Sequence, residues 1–172
     1  MRNSTALPIA WVTLRILILL NWLFGASILG LLTATIVARD WTFTALGITP
    51  ESGIPQVMLG LQAVAALGLV AILLNFFLLK KLLAMVETVR IGDPFVADNA
   101  YRLHAIAWLL LGLQLLSIVI AAIGKAISTT ANPVHLDAGF SPSGWLAVIL
   151  TFVLARVFAE GTLMREDLEG TV

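Results

Sequence analysis

Apolar residues run in four long stretches that contain no charged side chain. These stretches cover residues 16–38, 53–79, 105–124 and 139–155. A helix needs about 20 residues to cross a hydrocarbon core of about 30 Å, and the fourth stretch reaches that length when it continues past Arg156. The pattern predicts an all-α polytopic membrane protein, with one domain over residues 1–172 that forms an up-down bundle of four transmembrane helices. We expect the spans at about 12–38, 54–79, 104–124 and 143–160.

The composition agrees with a membrane location. Hydrophobic residues make up 60% of the chain and charged residues 12%, with a mean hydropathy of +1.02, whereas an average soluble domain carries about 25% charged residues. The first stretch is longer than the apolar core of a cleaved signal peptide, which is about 7 to 15 residues. The sequence has no cysteine, which excludes disulfides, thiolate nucleophiles and cysteine metal ligands.

The basic residues predict the orientation. Of the ten lysines and arginines, eight fall on one side of the predicted spans and two on the other. The eight are Arg2, Arg15, Lys80, Lys81, Arg90, Arg102, Arg156 and Arg165. Because basic residues concentrate on the cytoplasmic side, we expect both termini and a hairpin at about residues 80–104 to be cytoplasmic. The formal net charge of zero gives no reason to expect direct nucleic-acid binding.

Few polar side chains fall within the spans, and their depths predict helix contacts. Asn21 and Asn75 both lie roughly 8 Å inside the cytoplasmic boundary at 1.5 Å per residue, so they are candidates to meet. Gln62 and Gln114 both approach the bilayer centre. Such amides bind one another across helices, since an unpaired amide is costly in hydrocarbon. The alternative is that they line a polar permeation path.

Small residues recur on two predicted helices. Ala26, Gly30 and Ala34 repeat every four residues on the first helix, and Gly60 and Gly68 lie two turns apart on the second. Small side chains let helix backbones approach closely. The spacing favours packing within the bundle, with a homo-oligomer as the alternative.

The second helix continues beyond the bilayer to a turn at residues 91–95. Gly92 tolerates a left-handed helix end, and Pro94 disfavours helix at Asp93. We expect the third helix to restart near Asp98 or Asn99, which are both acceptable N-caps. The second and third helices thereby extend into the cytoplasm as a hairpin.

The fourth helix extends inward as well, into a tail at about residues 161–172. Val157, Gly161, Met164 and Leu168 continue an apolar stripe, whereas Arg156, Glu160 and Asp167 lie opposite. The tail is acidic and the hairpin slightly basic, so docking of one on the other is a reasonable hypothesis. The alternative is that these charges only solvate the end of the helix. The candidate docking residues, given together, are Arg90, Gly92, Asp93, Pro94, Phe95, Asn99, Arg102, Arg156, Glu160, Arg165, Glu166 and Asp167.

Three segments resemble a known protein family. They are Thr88-Val-Arg-Ile-Gly-Asp-Pro-Phe-Val, Asn99-Ala-Tyr-Arg-Leu and residues 158–172, of which Arg165-Glu-Asp-Leu-Glu-Gly-Thr-Val is the most specific part. In these segments the chain is similar to a bacterial family of four-helix membrane proteins classified only as a domain of unknown function. The resemblance implies the cytoplasmic membrane of a bacterium. It also implies a partner, since genes of that family often lie beside one for a small helix-turn-helix DNA-binding protein. It supplies no catalytic residue.

Two functions therefore compete. The first is a binding or regulatory adaptor whose cytoplasmic hairpin and tail engage a soluble partner, such as a helix-turn-helix regulator. The second is a small transporter or channel that passes a solute between the helices, as a single chain or as an oligomer. We expect no enzyme activity, cofactor or metal site. His104 and His135 are isolated histidines, and a metal or triad site needs further ligands or a nucleophile.

Overall fold

The computed structural model describes residues 6–38, 41, 45, 54–92, 94–128 and 138–169. Over these residues the chain forms four long α-helices: α1 (Ala6–Val37), α2 (Ile54–Ile91), α3 (Ala97–Ile127) and α4 (Pro142–Glu169). The all-α, four-helix architecture expected from the sequence is confirmed. Each helix runs past the predicted hydrocarbon span at one end or at both.

Each of the four helices is long and apolar enough to cross a membrane. In the most apolar window of each helix, only 11% to 17% of the residues are buried against protein. Large side chains such as Leu19, Phe24 and Leu59 are exposed. A water-soluble surface does not carry apolar residues at this density, whereas helices satisfy their own backbone hydrogen bonds and are stable in lipid. The chain is a multi-pass membrane protein.

The turn between α2 and α3 forms as the sequence predicts. The helix α2 ends at Ile91, and the backbone N–H of Gly92 donates to the carbonyl of Val89 at 3.1 Å. Gly92 has φ +95°, a left-handed conformation that side chains with a Cβ rarely adopt. The helix α3 begins at Ala97, slightly before the predicted caps, and the N–H of Asn99 already donates to the carbonyl of Val96 at 2.9 Å. Asn99 is therefore a residue of the first helical turn, and its predicted role as a cap is wrong.

The start of α4 has a regular N-cap. The side chain of Ser141 accepts a hydrogen bond from the N–H of Gly144 at 3.2 Å. Pro142 occupies the first helical position, where a missing N–H costs nothing. Ser141 and Pro142 thus set where the helix begins.

The residues group into two compact units. The hairpin unit comprises Met1–Asn21, Leu74–Gly112 and Ser141–Val172, and the glycine-packed unit comprises Trp22–Leu73 and Leu113–Phe140. Buried apolar residues of the hairpin unit include Leu103, Ile106, Ala107 and Val148. Those of the glycine-packed unit include Val57, Met58 and Ala65.

Glycines allow close helix contacts in the glycine-packed unit. A Cβ on Gly25 would lie 3.0 Å from Cγ2 of Ile72, and a Cβ on Gly60 would clash with the side chain of Ile127. Gly68 lies against Ile28, so the predicted packing role of Gly60 and Gly68 is confirmed. A Cβ on Gly30 would meet no atom within 4 Å, so the predicted internal contact of the Ala26, Gly30 and Ala34 face is wrong at Gly30. The closely packed glycine of α1 is Gly25.

Candidate functional site

Asn99 is the centre of a hydrogen-bond network in the hairpin unit. Its side chain is completely buried. Nδ2 donates to Oγ1 of Thr88 at 2.7 Å and to the carbonyl of Pro94 at 2.9 Å. Oδ1 accepts from Nη1 of Arg102 at 2.9 Å. One amide thus connects the end of α2, the turn and the first turn of α3.

The donors and acceptors of this network fix each group in one orientation. The hydroxyl of Thr88 donates to the carbonyl of Met85 at 2.8 Å, so its oxygen is left to accept from Asn99. Arg102 has only donors, so the oxygen of the amide must face it. Arg102 also contacts Asp98 at 3.3 Å, and this ion pair is largely exposed on the Asp98 side. Because both the nitrogen and the oxygen of the buried Asn99 amide have partners, the network stabilises a single hairpin geometry.

Phe95 joins the turn to α4. Its ring lies 5.2 Å from the ring of Phe158, measured between centroids. A Cβ on Gly161 would lie 3.2 Å from the ring of Phe95, so the glycine allows α4 to approach the turn. Nη1 of Arg165 donates to the carbonyl of Phe95 at 3.4 Å. Within the described residues, α4 therefore contacts the turn through the pair of Phe95 and Phe158 and through the long hydrogen bond of Arg165. Docking of the whole tail on the hairpin stays a prediction.

The apolar stripe that makes this contact differs from the predicted one. Gly161 is part of it, but Val157 and Met164 are exposed, and the side chain of Leu168 lies outside the described residues. The contact is instead made by Phe158, with Thr162 buried nearby on the same face. Val157 and Phe158 are both apolar, so the sequence alone does not show which of them contacts the turn. The direction from which α4 approaches the turn determines that the contact is made by Phe158.

A groove between α3 and α4 lies beside this contact. It has a volume of about 800 Å³ and opens to the surroundings. Four alanines form much of its lining: Ala97, Ala100, Ala155 and Ala159. Larger side chains, among them Tyr101, Phe152 and Leu163, complete the wall together with polar groups of His104, Arg156 and Thr162. Because alanine side chains are small, the two helices leave room for an occupant between them.

An aromatic cluster adjoins one end of the groove. The indole N–H of Trp108 donates to Nε2 of His104 at 3.1 Å. The rings of Trp108 and His104 each pack edge-on against Phe152, at centroid distances of 5.5 and 5.6 Å. The sequence predicted an isolated histidine at position 104. Its partners in the structure are the two aromatic rings, and the four-residue spacing of His104 and Trp108 on α3 was the available signal.

The remaining predicted docking residues lie in different settings. Arg156 and Glu160 pair with each other at 2.8 Å on an exposed face of α4. Arg90 is exposed near the end of α2, and Asp167 is exposed near the end of α4. Asp93 and the side chain of Glu166 lie outside the described residues. The structure thus brings Pro94, Phe95, Asn99, Arg102 and Arg165 together, whereas the Arg156 and Glu160 pair stands apart from that network.

The intramembrane amides also differ from one another. Asn21 is buried, whereas Asn75 is exposed, and the contact between them stays a prediction. Gln62 and Gln114 are both half-buried in the glycine-packed unit. Their half-burial is compatible with either role suggested by the sequence.

Comparisons with known proteins give one family. A family model described as "Protein of unknown function (DUF2975)" matches residues 42–172, which include α2, α3 and α4 and all of the predicted docking residues. Neither the curated proteins nor the solved structures give a match.

Proposed function

Because the chain belongs to this family of proteins of unknown function, we propose an activity from its own geometry: it is a membrane-embedded binding protein that holds a soluble partner on its hairpin unit. In this proposal the hairpin unit and both termini face the cytoplasm of a bacterial inner membrane. The biased distribution of basic residues supports that orientation.

The observation that carries the proposal is the alanine-lined groove beside a fixed hairpin. Asn99 and Phe95 connect α2, the turn, α3 and α4, so the walls of the groove are held before any partner arrives. A preorganised surface loses less conformational entropy on binding. Tyr101, 75% exposed at the edge of the groove, supplies a large amphipathic side chain of the kind that dominates binding energies in protein interfaces.

The partner that we propose is a small helix-turn-helix DNA-binding protein, as the family resemblance implies. A helix of such a protein would fit a groove between two helices through its own apolar face. The membrane protein then acts as an adaptor that retains a regulator at the membrane. We do not assign it catalysis or a cofactor.

The test is site-specific crosslinking in native membranes. A photoreactive residue placed at Tyr101 is expected to capture one small soluble protein. Ala159→Phe fills the groove and should abolish that crosslink, because the ring occupies the space between α3 and α4. Ala147→Phe is the matched control, since Ala147 is exposed on the same helix and does not line the groove.

The captured protein should also bind the purified full-length chain, with loss of binding in Ala159→Phe and retention in Ala147→Phe. Equal capture by both variants would contradict the proposal. Capture of lipid alone at position 101 would also contradict it, because the groove would then be a lipid-facing surface.

A further inference from the structure

Two arginines converge on one tryptophan ring in the hairpin unit. The guanidinium carbon of Arg15 lies 3.9 Å from the ring centroid of Trp11, and that of Arg90 lies 5.6 Å from it. The two guanidinium carbons are therefore at most 9.5 Å apart, which is the sum of these distances. Arg15 and Trp11 belong to α1, whereas Arg90 belongs to the last turn of α2.

Helix geometry explains how residues far apart in sequence meet here. Side chains lean toward the N-terminus of their own helix. In an up-down bundle α1 and α2 run in opposite directions, so the side chain of Arg90 leans back toward the membrane while Trp11 leans away from it. The meeting point lies just beyond the hydrocarbon, since Arg15 directly precedes the first apolar stretch. This is the depth of lipid headgroups.

Within the described residues, neither Arg15 nor Arg90 takes part in an ion pair. The ion pairs of Arg102 with Asp98 and of Arg156 with Glu160 involve other residues. Attraction to the ring quadrupole holds each guanidinium near Trp11 but leaves its N–H donors and its charge available. The indole Nε1–H of Trp11 is buried and has no acceptor among the described residues. The cluster is thus rich in donors, and no described carboxylate pairs with either arginine.

We propose that Arg15 and Arg90 form a binding site for the phosphate of an anionic phospholipid. A guanidinium carbon lies roughly 4 Å from the phosphorus of a phosphate that it binds through charge-assisted hydrogen bonds. One phosphate therefore contacts both arginines where their guanidinium carbons lie within about 8 Å of each other on the same side of the Trp11 ring. The distances of 3.9 and 5.6 Å to that ring are compatible with such an arrangement. The planar fork of arginine suits a phosphate better than the ammonium of lysine does.

The geometry selects a lipid over a soluble phosphate and an anionic lipid over a zwitterionic one. A headgroup at this depth arrives with its acyl chains beside exposed apolar residues of α1, such as Val12 and Ile16. A choline group would bring a positive charge toward two guanidinium groups, whereas a glycerol headgroup would not. This site is independent of the groove between α3 and α4 and of the partner proposed for it.

The test is a lipid titration of the full-length chain in detergent, followed by native mass spectrometry. Phosphatidylglycerol is expected to bind more tightly than phosphatidylcholine. The double variant Arg15→Gln with Arg90→Gln should weaken phosphatidylglycerol binding by about tenfold or more, because it removes two charge-assisted contacts. The matched control is Lys80→Gln with Lys81→Gln, which removes two positive charges from the same end of α2 and should bind nearly as the wild type does.

A second variant separates folding from binding. Arg15→Lys with Arg90→Lys keeps both charges and removes both forks, so it should fold like the wild type and bind phosphatidylglycerol more weakly. The proposal would be overturned if Lys80→Gln with Lys81→Gln weakened phosphatidylglycerol binding as much as Arg15→Gln with Arg90→Gln does. The lipid would then be attracted by positive charge in general. Equal affinity for phosphatidylcholine would overturn it too. Competition by inorganic phosphate at concentrations well below those of the lipid would assign the site to a soluble anion instead.

Discussion

The hairpin unit and the glycine-packed unit are each stabilised by a different kind of internal contact. In the hairpin unit a completely buried amide makes three side-chain hydrogen bonds, and an aromatic pair joins the turn to α4. In the glycine-packed unit, Gly25, Gly60 and Gly68 pack against isoleucines, and Ser117 and Gly139 exchange hydrogen bonds of 2.9 and 3.3 Å. The contrast is therefore between the buried amide network of one unit and the glycine packing of the other. The first kind of contact is directional, whereas the second depends only on shape and distance.

This difference indicates which of the two units is better suited to contain a binding site. Apolar packing between small and branched residues holds any membrane helices together. A satisfied polar network fixes one arrangement of side chains and backbone, which a binding surface requires. The hairpin unit also contains the groove and the arginine pair, so the buried amide network lies in the same unit as the two proposed sites.

The strongest test of the comparison removes the buried amide. Asn99→Ala should lower the free energy of unfolding by about 2 to 4 kcal/mol, because the carbonyl of Pro94, the hydroxyl of Thr88 and the guanidinium of Arg102 all lose their partner. The measurement is a denaturant titration of the purified protein in mixed micelles. Asn75→Ala is the control, since Asn75 is exposed on α2 and its loss should cost less than about 0.5 kcal/mol. Similar effects of the two substitutions would show that the network does not stabilise the hairpin unit.

The corresponding test in the glycine-packed unit adds a methyl group. Gly60→Ala should destabilise the protein by about 1 to 3 kcal/mol, since its Cβ would overlap the branched side chain of Ile127. Gly30→Ala is the matched control, because nothing lies within 4 Å of the added atom. The same denaturant titration checks both. An unchanged stability in Gly60→Ala would contradict packing by shape as the basis of this unit.

A third substitution tests the backbone of the turn alone. Gly92→Ala should lower the free energy of unfolding by about 1 to 2 kcal/mol. Gly92 has φ +95°, and a residue with a Cβ is strained in this left-handed conformation. No neighbouring atom lies within 4 Å, so overpacking does not contribute. The helical Gly112, with Leu74 at an ordinary 3.7 Å, is the control position and should tolerate alanine. A Gly92→Ala protein as stable as the wild type would mean that the turn can adopt another conformation.

The sequence predicted the elements of the hairpin unit better than their contacts. Apolar stretches and the Gly-Asp-Pro turn indicated four helices and the end of α2, because helix length, glycine and proline act locally. The role of Asn99 was missed because its partner Thr88 lies 11 residues away, across a turn whose geometry decides which side chains meet. The stripe of α4 was predicted only in part, since Phe158 and Val157 are equally apolar in sequence. The convergence of Arg15 and Arg90 on Trp11 depends on the packing of α1 against α2, which no local pattern encodes.

The smallest change in the free energy of unfolding is expected at the exposed ion pair of α4. It allows an exposed arginine to be compared with Arg102, which contacts the buried amide, within the hairpin unit. Arg156 and Glu160 lie one turn apart, with side chains 78% and 52% exposed. Water and salt screen such a pair, so Arg156→Gln should change the free energy of unfolding by about 0.5 kcal/mol or less. Arg102→Gln, measured beside it, should cost more, because Arg102 is 25% exposed and donates to the buried oxygen of Asn99. If the two substitutions had equal effects, Arg102 would stabilise the protein only as a member of an ion pair. Its hydrogen bond to the buried amide of Asn99 would then add no further stability to the hairpin unit.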